Sequence, residues 1–160
     1  MIKMLVMDVD GTLTDGRIYI GENGEVMKAF CAHDAVGVRK LKNYGILPVI
    51  ITGRESKIVE NRALEMNIDL SYVFQNISKK QEKLEELLSD LGFDFQEVAY
   101  IGDDENDLEC LKKCRLRGCP KNAVSVIKNE CNFISSYNGG NGAVREFVEY
   151  IIENNCEDRL

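Results

Sequence analysis

The chain has 160 residues, of which 44% are hydrophobic and 29% charged, with two prolines and thirteen glycines. This size and composition are typical of one folded domain that buries roughly 70% of its unfolded surface, and they exclude a disordered or collagen-like chain. The 20 Lys and Arg against 27 Asp and Glu give a formal charge of −7, which argues against nucleic-acid or membrane partners.

The sequence contains no visible export or membrane-spanning segment. Its longest apolar stretch, Ile46–Ile51, contains a proline and is too short to cross a bilayer, and Asp8 interrupts the apolar N-terminus. None of the six cysteines forms a Cys-x-x-Cys pair, so we expect reduced thiols with packing roles. We therefore expect a single domain over residues 1–160, located in the cytoplasm.

Predicted strands and helices alternate along the chain. In order they are a strand at Lys3–Val9, short strands at Arg17–Ile20 and Val26–Phe30, a helix at Asp34–Tyr44, a strand at Leu47–Thr52, a helix at Glu55–Met66, a strand at Leu70–Phe74, a helix from Ser78 to Gly92, a strand at Val98–Ile101, a helix at Asp104–Lys113, a strand at Leu116–Cys119, a helix at Ala123–Asn129, a short strand at Phe133–Ser135 and a helix at Ala143–Glu153. This alternation predicts an α/β fold, a parallel sheet with helices on both faces.

Local signals place the ends of these elements. Asp34 is the expected N-cap of its helix and Gly45 its stop. Ser78 and Gln81 form a candidate capping box for the third long helix. The turn-rich segment Gly21–Glu25 between two β-prone runs predicts a hairpin, about residues 16–30, inserted after the first strand.

Chemically reactive side chains follow several of the predicted strands. Asp8 and Asp10 lie at the end of the strand Lys3–Val9, Thr52 ends the strand Leu47–Thr52, and an acidic segment over residues 103–107 follows the strand Val98–Ile101. In open parallel sheets, ligands bind beyond the carboxyl ends of the strands, so these groups meet at one edge. Two carboxylates two residues apart repel unless a cation separates them, and oxygen ligands favour Mg²⁺.

The same edge has groups suited to a phosphate. Lys80 and the Thr52 hydroxyl, with backbone N–H groups around Gly11 and Gly53, are placed to neutralise and cradle its oxygens. Each feature alone has an ordinary alternative: an Asp-x-Asp pair or the acids after Gly102 can cap a helix, and a lysine at a helix start is usually solvated. Their joint position at strand ends indicates a site.

Four segments resemble, in order, the four motifs of the haloacid dehalogenase superfamily of phosphatases. They are DVDGTLTDG at 8–16, ITGR at 51–54, the Lys80 segment and IGDDENDL at 101–108. The hairpin after the first motif, HDAVGVRKL and NGGNGAVREF resemble the small capless branch, which contains 3-deoxy-D-manno-octulosonate 8-phosphate phosphatase and relatives acting on nine-carbon sugar acids. The resemblance implies a Rossmann-like three-layer sheet without a cap domain, and Mg²⁺-dependent hydrolysis of a sugar-acid phosphate through an aspartyl-phosphate.

The resemblance also implies residue roles. Asp8 is the expected nucleophile and Asp10 the acid/base. Mg²⁺ is expected on the Asp8 carboxylate, the Asp10 backbone carbonyl and Asp103. Asp107 completes the metal region, where it holds either a metal-bound water or the lysine.

Phosphate and sugar contacts follow from the same comparison. Thr52, Gly53 and Lys80 are expected to bind the phosphate; only motif spacing favours Lys80 over the adjacent Lys79. Arg54 and Arg62 are candidates to contact the sugar's carboxylate or hydroxyls, with solvated helix residues as the alternative. The arginine in the TGR motif favours the eight-carbon substrate over a nine-carbon one.

Two other functional classes compete with a phosphatase. A receiver-type phosphoacceptor domain also combines acids, a threonine and a lysine on a parallel sheet, but it lacks a second carboxylate two residues past the phosphorylated aspartate. A non-catalytic accessory domain of sugar-nucleotide synthesis is the other alternative. The intact set of acids, threonine and lysine favours catalysis over both.

The predicted hairpin is the basis for a prediction about oligomeric state. It bears more apolar side chains, among them Ile20, Val26 and Met27, than an isolated two-stranded hairpin can bury. We therefore predict a homo-oligomer, a tetramer by resemblance to the family, in which neighbouring subunits cover each other's sites. The alternative is a hairpin folded back onto its own domain.

Overall fold

The structure, a computed structural model, describes residues 1–157, and its centre is a six-stranded parallel sheet. In spatial order the strands are β5 (Val73–Phe74), β4 (Leu47–Ile51), β1 (Met4–Met7), β6 (Val98–Ile101), β7 (Leu116–Cys119) and β8 (Phe133–Ile134). β1 pairs with β4 on one side and β6 on the other. The loops that follow these three central strands therefore open at the same edge.

Helices cover both faces of the sheet, as the alternation predicted. One face carries α1 (Ala32–Lys40), α2 (Lys57–Glu65) and α6 (Ala143–Glu157), and the other α3 (Lys80–Leu91), α4 (Leu108–Lys113) and α5 (Ser125–Glu130). Short 3-10 helices lie at Leu41–Tyr44, Leu70–Tyr72, Phe95–Glu97 and Glu105–Asp107. Alternate residues of β1 enter the two cores, Leu5 on the α1 side and Val6 on the α3 side, which explains its unbroken apolar run.

The predicted hairpin is present after β1. It consists of β2 (Tyr19–Gly21) and β3 (Gly24–Met27), which pair with each other and form a separate antiparallel sheet. The turn between them is shorter than predicted, and Gly24 has a φ of +105°, which favours glycine. Within residues 1–157, the regular elements are this hairpin, the parallel sheet and its flanking helices, in agreement with a fold that lacks a cap.

The prediction that Asp34 caps α1 was wrong. The helix begins at Ala32 with Cys31 as its N-cap, and Asp34 lies buried inside the first turn. Its Oδ1 accepts a hydrogen bond of 2.8 Å from the backbone N–H of Arg145 on α6. The side chain thus joins two helices that are distant in sequence, which no local signal reveals. Gly45 ends the helical segment in the left-handed region, as predicted.

The predicted capping box at Ser78 and Gln81 was also wrong. α3 begins at Lys80 with Lys79 as N-cap and has no side-chain capping bond, and the Gln81 amide donates to Glu85 instead. A capping box does form at Asp104, where the 3-10 helix over Glu105–Asp107 begins. Lys80, the first residue of α3, forms long-range ion pairs with Asp8 and Asp107.

Two further predictions concern the cysteines and the membrane. All six cysteines are free thiols; Cys110, Cys114 and Cys119 are buried, and Cys156 is exposed. None of the helices described over residues 1–157 combines the length and apolar character needed to cross a bilayer.

Candidate active site

Asp8 lies at the carboxyl end of β1 and is only 5% exposed. Its Oδ1 accepts a hydrogen bond of 2.8 Å from the Lys80 ammonium. Burial raises the pKa of Asp8 well above its usual value, the charge of Asp107 raises it further, and Lys80 opposes both effects. The carboxylate is therefore confined and poorly hydrated, with one fixed cation beside it.

The structure distinguishes Lys80 from Lys79. Lys80 is buried, and its ammonium also lies 2.8 Å from Asp107 Oδ1, whereas the Lys79 side chain is 72% exposed and pairs with Glu82. Burial alone would lower the pKa of Lys80, but Asp8 and Asp107 outweigh it and raise the pKa above its usual value. Lys80 is thus a permanent positive charge in the site.

Asp107 accepts four hydrogen bonds from the protein. Oδ1 accepts from Lys80 and, at 2.7 Å, from the Tyr100 hydroxyl, while Oδ2 accepts from the backbone N–H groups of Asp103 and Asp104 at 3.0 and 3.4 Å. Of the two roles expected for Asp107, these bonds favour holding the lysine. Sequence reasoning missed Tyr100; the available signal was a tyrosine in a strand buried on both faces, where its hydroxyl needs a partner.

Asp103 faces the loop that follows β1. Its Oδ1 accepts a hydrogen bond of 2.9 Å from the Thr12 hydroxyl. Gly11 has a φ of +90°, and a Cβ there would lie 2.1 Å from Asp103 Oδ2. Because Gly11 has no side chain, Asp103 Oδ2 can occupy this space. Burial, with the charge of Asp107, raises the pKa of Asp103 to about 6.

The hairpin contributes two charged side chains that sequence reasoning did not single out. Lys28 donates to Asp10 Oδ1 at 2.5 Å and lies 3.0 Å from Glu25 Oε2. Glu25 Oε2 in turn accepts from the Arg54 guanidinium at 3.3 Å. The four side chains form a row of alternating charges that runs from the end of β1, across the hairpin, to the loop after β4.

A cleft of about 180 Å³ brings most of the expected site residues together. It is lined by Asp8, Asp10, Thr52, Gly53, Arg54, Asp104 and Asn106. Asp104 and Asn106 were not predicted as lining residues. Arg62 is not among the lining residues: its guanidinium donates to the Cys31 carbonyl and to Glu65, and lies over the Phe30 ring.

Comparison with known proteins identifies the family to which this chain belongs. Residues 67–148 match the family model described as haloacid dehalogenase-like hydrolase. The chain is 36% identical over 151 residues to 3-deoxy-D-manno-octulosonate 8-phosphate phosphatase KdsC of Escherichia coli K12, covering 94% of this chain and 79% of the relative. The chain belongs to the haloacid dehalogenase-like hydrolases.

Solved structures of such hydrolases have the same fold. The 3-deoxy-D-manno-octulosonate 8-phosphate phosphatase of Moraxella catarrhalis, in complex with magnesium, phosphate and KDO, matches with a TM-score of 0.90 and 39% identity over 95% of this chain and 86% of that one. The cobalt-bound phosphatase of Haemophilus influenzae matches with a TM-score of 0.89 and 32% identity, covering 95% and 88%. The Rossmann-like fold predicted from the sequence is confirmed.

The acidic cluster of this hydrolase fits a divalent cation. One carboxylate oxygen each from Asp8, Asp103 and Asp107 lie within 4.8 Å of one another. The Oδ1 atoms of Asp8 and Asp103 each accept a hydrogen bond from the protein. Gly11 leaves room beside the other carboxylate oxygen of Asp103, Oδ2. An all-oxygen set of this kind suits Mg²⁺, and a cation between the carboxylates relieves their repulsion.

Proposed function

We propose that the protein is a Mg²⁺-dependent phosphatase that hydrolyses 3-deoxy-D-manno-octulosonate 8-phosphate through an aspartyl-phosphate. The observation that carries this proposal is the buried Asp8 carboxylate, held by Lys80 at 2.8 Å in the wall of a cleft that Asp10 also lines. Such a pair provides a nucleophile and a proton carrier two residues apart. The relatives named above act on this sugar-acid phosphate.

The chemistry divides into two displacements at phosphorus. In the first, a carboxylate oxygen of Asp8 bonds to phosphorus while the bond from phosphorus to the sugar oxygen breaks, and Asp10 gives that oxygen its proton. In the second, Asp10 takes a proton from water as the water oxygen bonds to phosphorus and the acyl-phosphate bond breaks. Inorganic phosphate leaves, and both aspartates return to their starting states.

The remaining side chains stabilise charge and fix geometry. The Lys80 ammonium, held by Asp107, neutralises phosphoryl oxygens, and the Thr52 hydroxyl and the backbone around Gly53 donate to them. Asp8, Asp103 and the Asp10 backbone carbonyl would hold Mg²⁺. A bound Mg²⁺ supplies positive charge that offsets the repulsion between the nucleophile and the incoming phosphate.

Arg54 supports a sugar acid as the substrate. It lines the cleft, and its side chain is 47% exposed, so its guanidinium is accessible to a carboxylate that enters from solvent. Guanidinium groups bind carboxylates through paired hydrogen bonds, which gives specificity as well as affinity. We propose Arg54 as the contact for the sugar's carboxylate.

A panel of phosphate esters tests the proposal. Purified protein with Mg²⁺ is assayed for phosphate release from the eight-carbon ester, a nine-carbon 2-keto-3-deoxy sugar-acid 9-phosphate and p-nitrophenyl phosphate, and kcat/KM is compared. We expect the eight-carbon ester to lead. A higher kcat/KM for the nine-carbon ester would move the assignment to that substrate, and no phosphate release from any ester would refute a phosphatase.

We further propose that residues 1–160 form one domain and that the protein acts in the cytoplasm as a homotetramer in which hairpins associate. The support for the assembly is the apolar surface of the hairpin, where Ile20 is 65% exposed and Val26 and Met27 are more than half exposed. Light scattering at micromolar concentration tests the assembly. We expect a tetramer for the wild type and a smaller species for Ile20→Asp; a monomeric wild type would refute it.

A further inference from the structure

Lys28 is a buried lysine that directly follows exposed residues of the hairpin. Its side chain is 0% exposed, although Val26 and Met27, the two residues before it, are more than half exposed. Its ammonium lies 2.5 Å from Asp10 Oδ1 and 3.0 Å from Glu25 Oε2. A buried ammonium is costly unless it is paired, and here both partners are carboxylates.

The contact involves a residue of the cleft. Asp10 lines the cleft, and Lys28, which donates to Asp10 Oδ1, is not among the lining residues. Lys28 is therefore placed to act on the reaction through its contact with Asp10. The pair also joins positions 18 residues apart, so the hairpin must be folded against its own subunit for the contact to exist.

Glu25 holds the lysine in place. It accepts from both Lys28 and Arg54, and so links the hairpin to the loop after β4. Burial would raise the pKa of Glu25, but hydrogen bonds from Lys28 and Ser56 outweigh it and lower the pKa. The carboxylate stays ionised at neutral pH and keeps the Lys28 ammonium aimed at Asp10.

We propose that Lys28 is a positioning residue that holds the Asp10 carboxylate in the orientation needed for proton transfer. This inference rests on the proposed function, because it assigns Asp10 the acid/base role. It gives the hairpin a task within its own subunit that is separate from any contact between subunits. General acid–base catalysis contributes about 10²–10⁴-fold, and a displacement of about 1 Å can remove about 10²-fold.

The choice of leaving group separates positioning from a merely structural role. A sugar alkoxide needs protonation by Asp10 as it leaves, whereas p-nitrophenolate leaves with little help. In Lys28→Met, we expect kcat/KM for the sugar phosphate to fall about tenfold to a hundredfold and kcat/KM for p-nitrophenyl phosphate to fall much less. A lysine that only fastens the hairpin would act on both esters alike or, through Glu25 and Arg54, would raise KM for the sugar phosphate and leave its kcat unchanged.

Two variants serve as controls. Glu22→Gln changes an exposed charge in the turn of the same hairpin and should leave both values unchanged. Lys28→Arg keeps the positive charge and should recover part of the loss. If Lys28→Met does not fold, as judged by thermal melting, the comparison is made with Lys28→Gln, which retains a donor towards Asp10 without the charge.

The positioning role is supported if the loss of kcat/KM in Lys28→Met grows with the basicity of the leaving group. Equal losses on both substrates, a sugar-phosphate loss confined to KM, or a sugar-phosphate kcat/KM within twofold of wild type overturn it while the proposed function stands. A wild-type protein that hydrolyses neither ester overturns the proposed function and this inference together.

Discussion

Replacement of Lys80 by methionine tests the charge balance of the site most directly. The ammonium lies 2.8 Å from both Asp8 and Asp107, and all three side chains are at most 7% exposed. Lys80→Met removes the cation and leaves two buried carboxylates facing each other. Removal of one partner from a buried ion pair costs about 3–5 kcal/mol of unfolding free energy.

That loss is large enough to measure by melting. At about 2–4 °C per kcal/mol for a chain of this length, Tm should fall by roughly 6–20 °C in metal-free buffer at pH 7. The matched control is Lys79→Met, which changes an exposed lysine one residue away and should leave Tm where it is. Phosphatase activity should be lost in Lys80→Met and kept in the control.

The pH dependence of the loss provides a further check. Burial already raises the pKa of Asp8 well above its usual value, and loss of Lys80 raises it further. A carboxyl group whose pKa is higher in the folded than in the unfolded state stabilises the fold as pH falls towards its unfolded value near 3.9. The Tm difference between variant and wild type should therefore shrink from pH 7 to pH 5. Equal melting of Lys80→Met and Lys79→Met at pH 7 would refute this account.

Three other predictions concern catalysis and the metal. Asp8→Asn should retain less than about a hundredth of wild-type kcat with an unchanged circular dichroism spectrum, because the amide is nearly isosteric but a poor nucleophile; higher retained activity contradicts covalent catalysis. EDTA should abolish phosphate release, Mg²⁺ should restore it, and Ca²⁺ should inhibit, since its looser coordination disfavours in-line attack; full activity in excess EDTA contradicts a metal at Asp103. Gly11→Ala should weaken Mg²⁺ binding measured by calorimetry and lower activity, because its Cβ would lie 2.1 Å from Asp103 Oδ2; unaltered Mg²⁺ affinity would show that this oxygen is not a ligand.

Local chemistry determined the order of elements and the candidate residues. The apolar run at Met4–Met7 could be read as a strand covered on both faces because each residue meets one of two cores. The glycine at 45 ends its helical segment as predicted, since the left-handed conformation there depends on the residue itself. Asp8, Asp10 and Thr52 meet in one cleft because parallel strands end at the same edge of the sheet.

Tertiary structure decided which neighbouring side chains are buried in the site. Local sequence signals do not distinguish Lys80 from Lys79, and only the spacing of the family motif favoured Lys80; in the structure an ion pair across 72 positions accompanies burial of Lys80, whereas Lys79 is exposed. Tertiary contacts also join the Lys28 ammonium to Asp10 and the Tyr100 hydroxyl to Asp107. Asp34 accepts from the Arg145 backbone N–H and so links two helices instead of capping one. Helix and strand patterns depend on neighbours within a few residues, whereas a buried charge finds its partner through the packing of distant segments.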